Sequence, residues 1–271
     1  MNINFKFLFL GTSLSLIPNL LYAQCSPAQS CAELGYKETT NKGGCLKCPF
    51  GNGWYCPEPK EEKAVLGQCT GYAKNCKIGQ ILNSDGTCAT DKVSGKTPIG
   101  VVVYISSGAD NCGYAITADT LPTHFTWGSY GKDTPYLSNY QSWQEAITDF
   151  DVSGNMTKII QASGGNNSAY PAAYEVLNYA PSAAPTTKGK WALPTAGILN
   201  SLYANLSSIN NTISKLGGTD LTGYYSHIWS SSEYDNYFAW GFSTYGGNGN
   251  GGGVSFYEKS NHFPIRPIIA F

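Results

Sequence analysis

The sequence predicts an α+β domain preceded by a small disulfide-rich module, and three observations carry that expectation. Eight of the nine cysteines crowd between Cys25 and Cys88. A β-branched run, Ile99–Ile105, follows a polar stretch rich in breakers. From there the chain orders a hairpin, then helices, then a meander of strands, which is an α+β order.

At the N-terminus, Lys6 precedes an apolar run from Phe7 to Leu21, and Leu21-Tyr22-Ala23 offers a small residue before Gln24. A cationic start, a short apolar run and a small-residue exit describe a cleaved secretory signal over residues 1–23. Pro18 and Asn19 interrupt the run, which is short of the ~20 residues a membrane-spanning helix needs. Cys25 just beyond it also fits a lipidated N-terminus, against which Gln24 is a poor preceding residue. No later segment is apolar for long enough to cross a bilayer, so the expected location is secreted, cell surface or cell envelope.

Residues 24–90 hold Cys25, Cys31, Cys45, Cys48, Cys56, Cys69, Cys76 and Cys88 among many Gly, Pro, Lys and Asn residues. So short a segment buries little apolar surface, and disulfides are expected to hold it together. Cys45-x-x-Cys48 is half of a zinc site, but structural zinc needs a second ligand pair, and no other Cys-x-x-Cys occurs. Asn83-Ser-Asp-Gly86 before Cys88 reads as a turn. Cys112 stands apart, with three open fates: a cross-link between module and main domain, an interchain bond, or a buried thiol. A polar linker is expected at 91–98.

In the main domain, 99–271, Ile99–Ile105 suits a buried strand with Tyr114–Thr117 as its hairpin partner. Ser142-Trp-Gln-Glu145 fits a capping box opening a short helix to about Phe150. Further short helices are expected over 155–162 and 172–179. Ala196–Leu216 repeats Ile198, Leu199, Leu202, Leu206, Ile209 and Ile213 at helical spacing, with a break inside it and Gly217-Gly218 as the stop. Strands follow at Ile228-Trp229, Phe238–Phe242, Val254–Tyr257 and Ile265–Phe271. Gly246–Gly253 reads as a long hairpin loop or a place of close backbone approach.

Several of these residues form an ordered set: Trp191-Ala-Leu-Pro-Thr195 opening a helix, Trp229-Ser-Ser-Ser-Glu-Tyr234, Ala239-Trp240, Lys259, and Ile265-Arg-Pro-Ile-Ile-Ala-Phe271. Together with Gly100–Tyr104, Asp149-Phe-Asp151 and Tyr170-Pro-Ala-Ala173, the set resembles the Lcl C-terminal domain and major-paralogous-domain proteins of bacterial cell surfaces, over about residues 99–271. The resemblance implies a C-type lectin-like fold with a terminal β-hairpin, short helices and a loop-rich antiparallel sheet. It also implies an adhesin-like role. The glycine loop and Ala192 depart from the family pattern.

For ligand binding, the candidates are Trp240, Glu233, Tyr237 and Arg266: Trp240 would form an aromatic platform for sugar rings with Trp191 and Trp229, and Glu233 with Arg266 a ligand-binding pair. Packing is the competing account of Trp191, Trp229 and Trp240, and a structural ion pair that of Glu233 and Arg266. Asp149-Phe-Asp-Val-Ser-Gly-Asn155 imitates the first half of an EF-hand loop, but Ile160 occupies the place of the bidentate Glu. No cofactor is expected, with calcium left open against a helix-capping turn. His124, His227 and His262 lack flanking ligands or bases, and no nucleophile elbow, zinc helix or phosphate loop is present. The expectation is a protein that is not an enzyme.

With 17 basic and 18 acidic residues and no like-charge block, nothing predicts nucleic-acid binding. The expected function is a secreted or surface binding protein recognising extracellular glycan or protein. The alternative is a structural or assembly subunit of a surface filament or envelope complex, with self-association and no small-molecule ligand.

Overall fold

The computed structural model divides into two compact units, residues 1–62 and 63–271. It describes residues 64–69, 71–108, 112–222, 227–244 and 253–271, and the backbone of three strands in the first unit. Those strands, β1 (Gln24–Cys25), β2 (Leu46–Lys47) and β3 (Trp54–Tyr55), pair antiparallel in the order β1-β3-β2. The expected signal segment and the side chains of Cys25, Cys31, Cys45, Cys48 and Cys56 lie outside the described residues, as does the glycine stretch 246–252.

The second unit is α+β. Its larger sheet contains β4 (Ile81–Asn83), β5 (Cys88–Ala89), β6 (Pro98–Ile105), β7 (Gly113–Ile116), β8 (Trp191–Ala192) and β12 (Ile268–Ala270), in the order β5-β4-β6-β7-β12-β8 with antiparallel neighbours throughout. The second sheet is an antiparallel meander of β9 (Ile228–Glu233), β10 (Phe238–Ser243) and β11 (Gly253–Glu258).

The domain boundary differs from the linker expected at 91–98. Ile81 and Leu82 pair with Val101 and Gly100 and are fully buried, so the segment around them belongs to the larger unit. Cysteine density marked this stretch as a separate module, whereas its backbone hydrogen bonds tie it to the main sheet. Gly86 turns β4 into β5 at φ +82°, and a Cβ there would lie 2.1 Å from the Ala64 carbonyl oxygen. Only glycine fits both conditions.

Two disulfides fasten the same region, Cys69–Cys112 and Cys76–Cys88. Cys112 thus joins a cysteine of the expected module, and both partners lie in the second unit.

β6 reads as a continuous apolar run because both faces of the sheet are covered. On one face Val101, Val103, Ile116 and Ile268 pack against α4 (Ala196–Ala204) and α5 (Leu206–Leu216). On the other, Val102, Ala115, Ile269 and Phe271 meet Ala73, Cys76 and Trp191. A third core joins Trp229 and Ala239 of the second sheet to α2 (Val152–Ala162) and α3 (Pro171–Asn178).

Helix ends follow side-chain chemistry. α1 (Trp143–Ala146) is capped by Ser142, whose hydroxyl accepts from Glu145 N at 3.3 Å, and it stops four residues short of Phe150. Thr195 caps α4, the expected break falls at Asn205, and Gly217 at φ +80° ends α5. No helix among the described residues is long and apolar enough to cross a membrane.

Candidate functional site

The second sheet, the segment before α1 and the end of β11 enclose a buried polar knot. Glu233 ends β9, a strand buried at every position. Its carboxylate accepts from Thr134 N at 3.1 Å and Thr134 Oγ1 at 2.8 Å, and from Lys259 Nζ. Lys259 Nζ also donates to the Lys132 carbonyl at 2.9 Å and stands 4.9 Å above the Trp127 ring. Trp127 Nε1 donates to Ser230 O at 2.7 Å, and Tyr170 OH donates to Thr134 Oγ1 at 3.2 Å. Burial pushes the Glu233 carboxyl up to about 7, while Lys259 and Thr134 pull it back down.

Each expected ligand residue has a definite place. Trp240 is buried, donates through Nε1 to Tyr140 O at 2.8 Å, and packs with Tyr234 and Phe256. Arg266 is buried and makes no bond to Glu233. Its Nη2 donates to Thr219 O, and Nε and Nη1 have no hydrogen-bond partner among the described residues. Burial lowers the guanidinium to about 10, and nearby Asp119 and Asp220 act in the opposite sense. Glu233 therefore pairs with Lys259, not with Arg266.

Tyr237 alone of the four is exposed. It lies in the β9–β10 turn, where Asp235 Oδ1 accepts from Tyr237 N at 2.7 Å and from Phe238 N at 2.8 Å. Its ring meets Tyr130 edge-on, with centroids 5.2 Å apart. Trp191 and Trp229 are core residues, each bonded through Nε1, to Thr187 Oγ1 and Phe125 O respectively.

Asp149 and Asp151, read as calcium donors, serve the local fold. Asp149 Oδ2 accepts from Ser232 Oγ at 2.5 Å and Asn155 Nδ2 at 2.7 Å, and Asp151 Oδ1 caps α2 through Gly154 N. Among the described residues no cluster of three His, Cys, Asp or Glu side chains is arranged to hold a metal ion.

Tyr130, Lys132, Asp133 and Tyr136 are not singled out by any pattern in the sequence. All four sit in the loop that closes the knot, and all are exposed. Their signal was weak: aromatic residues punctuating a Gly-, Ser-, Thr- and Asp-rich stretch without periodicity.

No family model and no curated protein matches the chain. Among solved structures, the chain is similar to a fimbrial protein from Bacteroides ovatus, at 15% identity and a TM-score of 0.46. The likeness covers 72% of this chain and 49% of that one, about half of its length.

Proposed function

We propose that the chain is an exported structural or assembly subunit of a cell surface, acting through macromolecular contacts of its larger unit and not through turnover or a small-molecule ligand. The observation that carries this reading is the withdrawal of Glu233, Trp240 and Arg266 from the surface. All three are buried, and Glu233 and Trp240 spend their polar atoms on Lys259, Thr134 and Tyr140. What remains at the surface nearby is tyrosine, a residue suited to protein contacts. Cys69–Cys112 and Cys76–Cys88 fit an oxidising compartment.

The larger unit is read as C-type lectin-like, in keeping with the pairing of β12 with β7 and with the loop-rich second meander. A second reading, recognition of an extracellular glycan or protein in the manner of an adhesin, draws on Tyr237, which stays exposed beside Tyr130.

Immunogold electron microscopy of native cells, with fractionation, tests the first reading. It expects label in filaments or envelope assemblies. Protein found only as free monomer in the medium overturns it. Binding to a glycan array or matrix-protein panel that is lost in Tyr237→Ala would favour the second.

A further inference from the structure

We infer that the cavity between α2, α3 and the β7-β12-β8 side of the larger sheet is a binding site for an apolar group that ends in a single carboxylate. Two sources share that chemistry, a free medium-chain carboxylic acid and the apolar C-terminal residue of a polypeptide. The inference goes beyond the assembly reading and does not depend on it.

The cavity arises from small residues set among large ones. Ile268 pairs with Ala192, and Ala270 pairs with Tyr114, so these four side chains lie on one face of the sheet. Alanine at 192 and 270 leaves space beside Ile268. Val152 and Met156 of α2, with Leu177 of α3, close that space from the helical side. The result is a hollow of about 370 Å³. That is near the lower end of the roughly 300–1,000 Å³ of small-molecule sites.

Its charge is one-sided. Lys190 is the one charged residue among the described residues that line it, and none of them is an acid or a histidine. The cysteine among them, Cys69, is bonded to Cys112. The Lys190 stem crosses Gly67, where φ is +85° and a Cβ would lie 2.6 Å from Lys190 Cβ. Only glycine there leaves the lysine its course along the rim. Lys190 is exposed, and its ammonium has neither a hydrogen bond nor an ion pair among the described residues. Ser153 adds a hydroxyl to the lining on the α2 side.

These facts choose among ligand classes. With no carboxylate among the described lining residues, a cation has no partner there. A sugar needs several hydrogen-bonding side chains and an open ring face, whereas Trp191 is 1% exposed and gives its Nε1 to Thr187 Oγ1 at 2.9 Å. A phosphate dianion calls for more donors than one lysine and one serine. An apolar group inside, with its carboxylate at Lys190, satisfies the apolar wall and the lone charge together.

The test is isothermal titration calorimetry on the full, disulfide-bonded chain. The probes are octanoate, octanol, and an acetylated peptide ending in leucine, as free acid and as amide. Octanoate should bind at one site with Kd of about 10 µM to 1 mM. It should bind about tenfold tighter than octanol, because only the acid bonds to the ammonium. Lys190→Met keeps the stem and removes the charge, so it should abolish that preference and leave the melting temperature unchanged. Ala192→Leu and Ala270→Leu, each filling the hollow, should weaken both ligands at least about tenfold. Should those two variants fail to fold, the exposed Lys190→Met still decides the outcome. A free-acid peptide that displaces octanoate, with an inactive amide, assigns the site to a polypeptide C-terminus. Octanoate binding that the peptide does not displace assigns it to a free acid. The inference is overturned if neither octanoate nor the free-acid peptide binds, if octanoate and octanol bind equally, or if the preference survives Lys190→Met. Binding untouched by Ala192→Leu and Ala270→Leu in folded protein overturns it too. The electron microscopy of cells decides the assembly reading separately.

Discussion

Lys259 Nζ is bonded to Glu233 Oε1 in an ion pair from which solvent is excluded on both sides. The two residues come from different edges of the second sheet, Glu233 at the end of β9 and Lys259 just past β11. Thr134, Lys132 and Trp127 surround them, so the pair joins the meander to the loop that displays Tyr130 and Tyr136.

Breaking that pair from one side should be costly, because a buried charge is left uncompensated. Lys259→Met is expected to lose about 3–5 kcal/mol of unfolding free energy. The double variant Glu233→Gln/Lys259→Met should lose clearly less than the sum of the two single changes. Urea denaturation of all four proteins measures the coupling, and strict additivity would contradict the pairing.

A pH dependence follows from the same carboxyl. Its folded value, about 7, lies above the ordinary 4.5, so the folded chain binds this proton more tightly than the unfolded chain does. The contribution to stability is fully present below pH 4.5 and is lost as pH rises through about 7. His227, lowered by burial, works in the opposite sense, losing stability as pH falls. Subtracting the Glu233→Gln profile from wild type isolates the glutamate. The difference in melting temperature should fall between pH 5 and pH 8, and a rising difference would reverse the assignment.

Cysteine arithmetic gives a third prediction. Peptide mapping without reduction should recover Cys69–Cys112 and Cys76–Cys88. Those bridges use four of nine cysteines, leaving Cys25, Cys31, Cys45, Cys48 and Cys56, an odd number. At least one of the five must therefore lie outside intrachain pairing, as an acylated, interchain or free cysteine. For sequence separations of 43 and 12, the chain-entropy account gives about 4 and about 3 kcal/mol. Cys112→Ala should accordingly destabilise somewhat more than Cys88→Ala.

Much of the fold was legible because burial leaves a period. The broken helix over 196–216 and the β6–β7 hairpin lie close to their expected bounds. Residues 81–89 were misplaced because three-residue strands carry almost no periodic signal, while their neighbouring cysteines carry a loud one. The strand expected over Ile265–Phe271 shrank to Ile268–Ala270, since Pro267 has no N–H to give and Arg266 turns inward to Thr219. At the site, sequence named the aromatic and charged residues but not their exposure. A Trp beside a Glu reads the same in a core and in a cleft. Lys259 took the place expected of Arg266 because Glu233 finds its partner across the sheet, a contact that no spacing encodes.

Asp149 offers the last prediction, one that separates a capping turn from a calcium loop. Its carboxylate takes hydrogen bonds from Ser232 and Asn155, and its carbonyl takes Thr195 Oγ1 at 2.6 Å and Gly197 N at 3.1 Å. One residue thereby ties the start of α2, the start of α4 and β9 together. Asp149→Ala would leave buried hydroxyl and amide donors unsatisfied, at about 1–3 kcal/mol each. Gly197→Ala should also destabilise, since a Cβ would lie 2.4 Å from the Asp149 carbonyl oxygen. With its acceptor sites filled by protein donors, Asp149 has little left for a cation. Differential scanning calorimetry should then give the same melting temperature in millimolar calcium and in chelator, for wild type and Asp151→Asn alike. A calcium-dependent rise that Asp151→Asn abolishes would replace the capping account with a metal site.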